Sequence, residues 1–345
     1  MIKVAFFSVK PYDEDIFNAH INSANSKDTE RGLSRDKLQA SYFTYPLNEH
    51  TAISCQGFDA VCVFVNDEVN KATLTTLAKL GIKHVALRCA GFNNVDVKAA
   101  KTLAIAVTRV PAYSPETVAE HTLALMLTLN RKTHKAYNRV KEGNFSLDGL
   151  MGFTLHNKTV GIIGSGKIGQ AVIRILTGFG CNILCYDPAP CQKLIDLGVR
   201  YTTLEDLFVS SQIVSLHCPL THATEHIINA KSLALMPKGV MLINTSRGGL
   251  VDDKAVIHAL KQGHLGYLGL DVYERESELF FSDHSQDIIQ DDTFQRLLTF
   301  PNVLVTGHQG FFTHEALNEI ANTTLKNIHS CANGCLKTTG ENWVR

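Results

Sequence analysis

Val160-Gly161-Ile162-Ile163-Gly164-Ser165-Gly166-Lys167-Ile168-Gly169 lies in the middle of the chain, and the reading of its neighbours follows from it. An apolar, β-branched run flows into G-x-G-x-x-G. A helical pattern follows from Gln170 to Phe179. Ile183-Leu184-Cys185-Tyr186 then makes a second apolar run that ends in Asp187. Strand, glycine turn, helix, strand and acid, in that order, meet the needs of a dinucleotide site. Gly164 permits the tight turn, Gly166 lets the backbone approach a pyrophosphate, and Gly169 lets the helix pack on the strand. The phosphates are expected at the helix N-terminus, where free N–H groups and the dipole favour anions. Asp187 is expected to accept hydrogen bonds from the adenosine ribose hydroxyls. Its charge disfavours a 2′-phosphate, so NAD is expected over NADP.

The surroundings suit an enzyme of about two domains. The chain has 345 residues, 45% of them hydrophobic, and zero formal net charge. No Lys/Arg block stands out, so neither nucleic acid nor an anionic membrane is expected as a partner. The opening Ile2-Lys3-Val4-Ala5-Phe6-Phe7-Ser8-Val9 is too short for a signal peptide and reads as a strand. The longest apolar helix, Val118 to Leu129, carries Glu120 and His121 and is too short to span a bilayer. A soluble, cytoplasmic protein is expected. Nine cysteines lie scattered without C-x-x-C pairs. Cys181 and Cys185 are expected on one buried face, Cys331 and Cys335 on one helix, all as reduced thiols. Among fifteen histidines, His217, His222 and His226 are close in sequence, but they flank Pro219 and a loop. No metal is expected.

Before the glycine motif, strands are expected at Val4–Val9, Ala60–Val65, Val85–Leu87 and Ala104–Val107. A polar, helix-compatible stretch follows the first, and a helix at Leu74–Leu80 is stopped by Gly81. This is βαβ texture and implies a separate domain with its own parallel sheet. Val110 to Pro115 is expected to cross between domains. The next helix, to about Lys132, is apolar at Val118, Leu123, Ala124, Leu127 and Leu129, and is expected between domains or subunits. After Asp187 the expected strands are Ile213–His217, Gly239–Asn244, Leu268–Val272 and Val303–Thr306. Helices are expected at Leu204–Phe208, Ala255–Lys261 and His314 to about His329. Most strands end in a polar residue, where open α/β sheets hold their ligands.

Three strand ends carry charged groups that make chemical sense together. Asn244-Thr245-Ser246-Arg247-Gly248-Gly249 places an arginine, Asp271-Val272-Tyr273-Glu274-Arg275-Glu276 places acids, and Thr306-Gly307-His308-Gln309 places a histidine. A lone arginine there is usually a surface salt bridge, and a lone histidine usually structural. After a dinucleotide motif the balance reverses. With V-G-I-I-G-S-G-K-I-G, N-T-S-R-G-G-L-V-D, L-G-L-D-V-Y-E-R-E and T-G-H-Q in order, the chain resembles the D-isomer-specific 2-hydroxyacid dehydrogenases. L-R-C-A-G-F-N-N-V-D at Leu87–Asp96 and V-P-A-Y-S-P at Val110–Pro115 extend the resemblance over nearly the whole chain. The segment from Glu276 to Val303 resembles the lactate branch of that family.

The resemblance implies two Rossmann-like, doubly wound parallel-sheet domains. A substrate domain takes residues 1–112 and the C-terminal helix region 312–345, and an NAD-binding domain, 113–311, is inserted. It implies reduction of pyruvate to D-lactate with NADH. A larger 2-oxo acid is the alternative, and a non-catalytic, NAD-responsive binding protein a more distant one. Arg247 would grip the substrate carboxylate with its guanidinium fork. His308 would protonate the carbonyl oxygen. Glu276 would hydrogen-bond His308, fix its tautomer and favour the imidazolium. Amides near Ala90 and Gly91 would bind the carboxylate, with Tyr113 and Phe311 closing the substrate pocket. Lys167, Ile168, Asp187, Cys218, Pro219, Thr224, Thr245, Ser246, Arg247 and Asp271 would line the NAD site beside Gly164, Gly166 and Gly169, with Asp271 at the nicotinamide end. Thr224 stands where an Asn is common, and Phe311 where a Tyr is common. Hinge closure would expel water. A homodimer or homotetramer is implied.

Overall fold

The computed structural model describes residues 1–30, 37–334 and 342–344. It divides into two compact units, Met1–Ser114 with Phe312–Arg345, and Pro115–Phe311. The first begins with β1 (Ile2–Phe6), α1 (Pro11–Glu30), β2 (Leu38–Tyr42), β3 (Ala60–Val63) and α2 (Lys71–Lys79). It continues with β4 (His84–Leu87), α3 (Val97–Thr102) and β5 (Ala106–Thr108). The second unit opens with α4 (Pro115–Arg131), α5 (Thr133–Lys141), β6 (Thr159–Ile163), α6 (Lys167–Gly178) and β7 (Asn182–Tyr186). Next come α7 (Gln192–Asp196), β8 (Arg200–Tyr201), α8 (Leu204–Ser210), β9 (Ile213–Leu216) and α9 (Ala230–Leu235). It ends with β10 (Val240–Asn244), α10 (Asp253–Lys261), β11 (Leu265–Leu270), α11 (Asp292–Leu298) and β12 (Val303–Val305). The helix α12 (His314–Ala332) belongs to the first unit.

The first unit is a parallel sheet in the order β2-β1-β3-β4-β5. Its strands are buried on both faces because side chains alternate. Ala5, Val61, Val63, Val85 and Val107 pack with Leu74 and Leu77 of α2 on one side. On the other, Phe6 meets Phe17 of α1, ring centroids 4.8 Å apart, and α12 lies against α1 and β4. β1 stops at Phe6, short of the expected Val9, and Ser8 takes a left-handed φ of 53°. Ala104, expected within a strand, also has φ 53°, so β5 starts only at Ala106. Asn70 caps α2 by accepting a hydrogen bond from Thr73 N, which starts that helix three residues before the expected Leu74.

The second unit is a parallel sheet in the order β12-β11-β10-β9-β6-β7-β8. β6 pairs with β7 on one side and β9 on the other, so the strand order reverses beside β6. That reversal opens a crevice at the carboxyl ends of the strands. Both sheets are the doubly wound, Rossmann-like kind. α4 packs on β10, β11 and α6 of its own unit, and Ala124 is exposed beside Glu116 and Glu120. One apolar face of α4 therefore covers its own sheet. β11 starts three residues before the expected Leu268 and ends at Leu270, so Asp271 stands just past the strand. Cys181 and Cys185 join one apolar layer, as expected. Eight cysteines are free among the described residues. Cys335 lies outside them.

Candidate active site

The glycine motif forms a turn between β6 and α6 whose shape needs its glycines. Gly164 has φ 99°, and a Cβ there would press on the His217 carbonyl carbon at 2.6 Å and on Cys218 N at 2.7 Å. A Cβ at Gly169 would collide with the Gly164 carbonyl, so only glycine lets α6 begin this close to the turn. At Gly166, the residue preceding α6, a Cβ would meet no protein atom within 4 Å. The turn is thus tight where it faces protein and open at the helix start, a shape that fits an entering pyrophosphate. Lys167 is exposed and Ile168 half-buried in the first turn of α6.

Asp187 follows β7, and its carboxylate is held beside this turn. Oδ2 accepts a hydrogen bond from Ser165 N at 2.6 Å, and Oδ1 from Ala189 N at 2.8 Å. Across the crevice, Ser246 Oγ donates to the Cys218 carbonyl at 2.7 Å, tying the end of β10 to the end of β9. Burial pushes the Cys218 thiol up to about 11, so it stays protonated. Thr224 Oγ1 donates to the Pro219 carbonyl at 2.6 Å and accepts from Thr221 N, which closes the loop after β9 on itself. Thr245 is buried, and its hydroxyl meets Thr122 of α4 at 2.9 Å. The Thr245 side chain is therefore spent on holding α4. His217 bonds Ser215, and burial pulls its imidazole down to about 3. His226 faces Glu274 instead, and among the described residues no group of three or more His, Cys, Asp or Glu could hold a metal ion.

Arg247, Glu276 and His308 follow the adjacent strands β10, β11 and β12. Asn244 is fully buried at the end of β10. It donates from Nδ2 to the Arg247 carbonyl at 2.8 Å and accepts from Ser246 N at 3.0 Å, which fixes the turn that carries the arginine. A Cβ on Gly248 would strike the backbone of Tyr273 and Glu274, so the arginine turn lies flush on the segment leading to Glu276. Glu276 Oε2 accepts from Tyr273 N at 3.0 Å, and Oε1 lies 2.8 Å from His308 Nδ1. An ionised carboxylate only accepts, so Nδ1 carries the hydrogen and Nε2 is the nitrogen left to face a ligand. Both side chains are about one-fifth exposed, 18% for His308 and 20% for Glu276. His308 adopts a left-handed φ of 53°, a conformation that non-glycine residues hold only when their surroundings enforce it.

Asp271 supplies that enforcement. It is 1% exposed. Oδ1 accepts from Thr306 Oγ1 at 2.5 Å and Gln309 N at 2.9 Å, and Oδ2 from Gly310 N at 2.8 Å. His121 Nε2 from α4 stands 3.1 Å from Oδ1. Burial alone would raise this carboxyl, but the hydrogen bonds from His121 and Thr306 outweigh it and hold the group below the usual carboxylate range. The Asp271 carboxylate is therefore turned into the loop that carries His308. Sequence reasoning missed His121 and Thr306 in this clamp. It also missed Phe281, whose ring centroid lies 5.7 Å from the imidazole, while Phe311 stands edge-on at 6.4 Å.

Ala90, Gly91 and Tyr113 belong to the other unit. Ala90 and Gly91 follow β4, where Arg109 Nη1 donates to the Ala90 carbonyl at 3.0 Å and Cys89 Sγ to the Gly91 carbonyl at 3.3 Å. The carbonyls of this loop are thereby tied down. Just before it, Arg88 is 1% exposed and donates to the carbonyls of Phe7 and Ser8 at 2.9 and 2.8 Å, which fixes the end of β4 against the end of β1.

Residues 123–310 match the family described as D-isomer specific 2-hydroxyacid dehydrogenase, NAD binding domain. The chain is 51% identical over 336 residues to a 2-hydroxyacid dehydrogenase homolog of Haemophilus influenzae, covering 96% of this chain and 97% of that one. It is 49% identical over 333 residues to the D-lactate dehydrogenase of Escherichia coli, covering 96% and 98%. The apo-structure of the latter superposes with a TM-score of 0.85 over 96% of this chain and 98% of that one. A structure described as the pyruvate reductase of Chlamydomonas reinhardtii gives a TM-score of 0.88 at 42% identity, covering 97% of each chain.

Proposed function

The chain belongs to the D-isomer-specific 2-hydroxyacid dehydrogenases, and from that premise we propose that it is an NAD-dependent D-lactate dehydrogenase that reduces pyruvate to D-lactate and reoxidises NADH in fermentation. The observation that carries the reading is the 2.8 Å contact between His308 Nδ1 and Glu276 Oε1, set beside Arg247 on neighbouring strand ends. Gly164, Gly166, Gly169, Lys167, Ile168 and Asp187, with Cys218, Pro219, Thr224, Ser246 and the Thr245 backbone, would hold NAD. The bound cofactor supplies the hydride. Arg247 donates to the substrate carboxylate as a planar fork, orienting the carbonyl. His308 Nε2 gives its proton to the carbonyl oxygen as negative charge develops there, and takes it back in the oxidative direction. Glu276 keeps the imidazole in the one tautomer and rotamer that present Nε2. Asp271 holds the His308 loop in register for this transfer. The Ala90 and Gly91 amides are proposed as further donors to the carboxylate, with Tyr113 and Phe311 as substrate contacts.

No helix among the described residues is long and apolar enough to cross a membrane. The free cysteines favour a reducing compartment, and we place the enzyme in the cytoplasm. Phe145, Leu147 and Met151 are 74%, 81% and 85% exposed, an apolar stretch that favours a homodimer or homotetramer. An initial-rate panel of 2-oxo acids with NADH and NADPH tests the function. Pyruvate with NADH is expected to be the preferred pair, and NADPH at least about tenfold poorer because Asp187 would face the 2′-phosphate. Preference for a branched or aromatic 2-oxo acid, or equal efficiency with both cofactors, would contradict the assignment.

A further inference from the structure

Two consecutive phenylalanines follow Glu276 and do different things. Phe280 is buried, and its ring meets Phe294 of α11 at 5.8 Å, anchoring the segment to the core. Phe281 has φ 68°, in the left-handed region where a bulky side chain is a genuine outlier. Its ring is half-buried and tilted 41° to the His308 imidazole at 5.7 Å. Phe311 stands at 83° to the same imidazole, with centroids 6.4 Å apart. The proton donor is thus flanked by two aromatic rings, one of them held in place by a strained backbone. Such strain persists only where the surroundings enforce it, and it clusters at active sites and ligand clamps.

We propose that Phe281 is a specificity-determining residue, whose ring beside His308 limits the substituent on the 2-oxo carbon to about the size of a methyl group. The inference rests on the proposed reduction of 2-oxo acids. A carbonyl carbon whose oxygen reaches His308 and whose carboxylate reaches Arg247 carries one remaining substituent, and the aromatic wall next to the imidazole meets it. A methyl gains apolar contact with the ring, while a longer chain collides with it. One methylene in such a pocket changes relative efficiency by roughly 10–200-fold.

Phe281→Gly removes the ring and suits the left-handed backbone, and Phe281→Asn is a second variant that tolerates this φ. The kcat/KM values of wild type and both variants are compared for pyruvate, 2-oxobutyrate and phenylpyruvate with NADH. The ratio of phenylpyruvate to pyruvate efficiency is expected to rise at least about tenfold in the variants, with 2-oxobutyrate between and NADH affinity unchanged. A uniform fall for all three acids, or a ratio within about twofold of wild type, would overturn the inference and leave the proposed activity standing. A wild type that reduces none of the acids would overturn both.

Discussion

Arg247 is half-buried, and its Nη1 donates to the neighbouring Ser246 carbonyl at 2.6 Å. Arg247→Lys keeps the charge and loses the fork. Pyruvate efficiency is expected to fall by about two to three orders of magnitude with NADH affinity changed little, as measured by initial rates and NADH fluorescence titration. Near wild-type turnover would remove the assigned role. His308→Ala is expected to slow reduction by about two to four orders of magnitude while still binding NADH. Glu276→Gln keeps the shape and replaces the carboxylate that holds His308 Nδ1 with an amide that can either donate or accept, so the ring is no longer held to one tautomer. Pyruvate turnover is expected to fall by at least about tenfold with NADH affinity changed little, as measured by initial rates and NADH fluorescence titration. Wild-type turnover would show that Glu276 does not position the acid. The placement of Arg247, Glu276 and His308 past three strands was legible in the sequence because each sits in a distinctive local motif. His121 and Phe281 were not: His121 meets Asp271 only through the packing of α4 on β11, and Phe281 is set by a backbone angle that no pattern of residue types reveals.

The turn between β6 and α6 separates what glycine does for the protein from what it does for the ligand. Gly169→Ala would drive a methyl into the Gly164 carbonyl, so both thermal stability and NADH affinity are expected to drop. Gly166→Ala meets open space on the protein side and has an ordinary φ of −65°. It is expected to melt within about 2 °C of wild type yet bind NADH at least about tenfold more weakly. Calorimetry and fluorescence titration of the two variants check this, and equal behaviour of both would contradict the reading of the turn. Most strands of both sheets were legible because parallel strands buried on two faces make continuous apolar runs. β2 and β8 were missed. β2 is half-exposed beyond Leu38 and β8 has only two residues, Arg200 and Tyr201, so neither carries an apolar run. Helix starts were misplaced where caps decide them, as at Asn70 before α2 and Asp252 before α10.

Two neutral histidines, His84 in β4 and His217 just past β9, tie the stability of the fold to pH. His84 is 3% exposed, meets Thr108 Oγ1 at 2.8 Å, and is pulled down by burial to about 4 from 6.5. His217 is pulled down to about 3 by the same cause. Between pH 6.5 and these values the unfolded chain binds protons that the folded chain does not, so stability is full above about 6.5 and declines as pH falls. Each histidine contributes on the order of a few kcal/mol across that window. Asp253, pushed up to about 7 by burial and by Glu274, acts in the opposite sense, gaining stability as pH falls from 7. The difference between wild type and His84→Gln isolates one histidine, because the amide can still bond Thr108 and does not titrate. Urea midpoints from pH 7 to 4.5 are expected to decline less steeply in the variant, and identical slopes would contradict the burial argument. The same parallel architecture puts Arg247, Glu276 and His308 at the carboxyl ends of three adjacent strands, and the family to which the chain belongs carries out D-specific chemistry. Chiral chromatography of the product formed from pyruvate and NADH decides whether this chain does so: D-lactate alone is the predicted result, and L-lactate, or no reduction of pyruvate, would contradict the assignment.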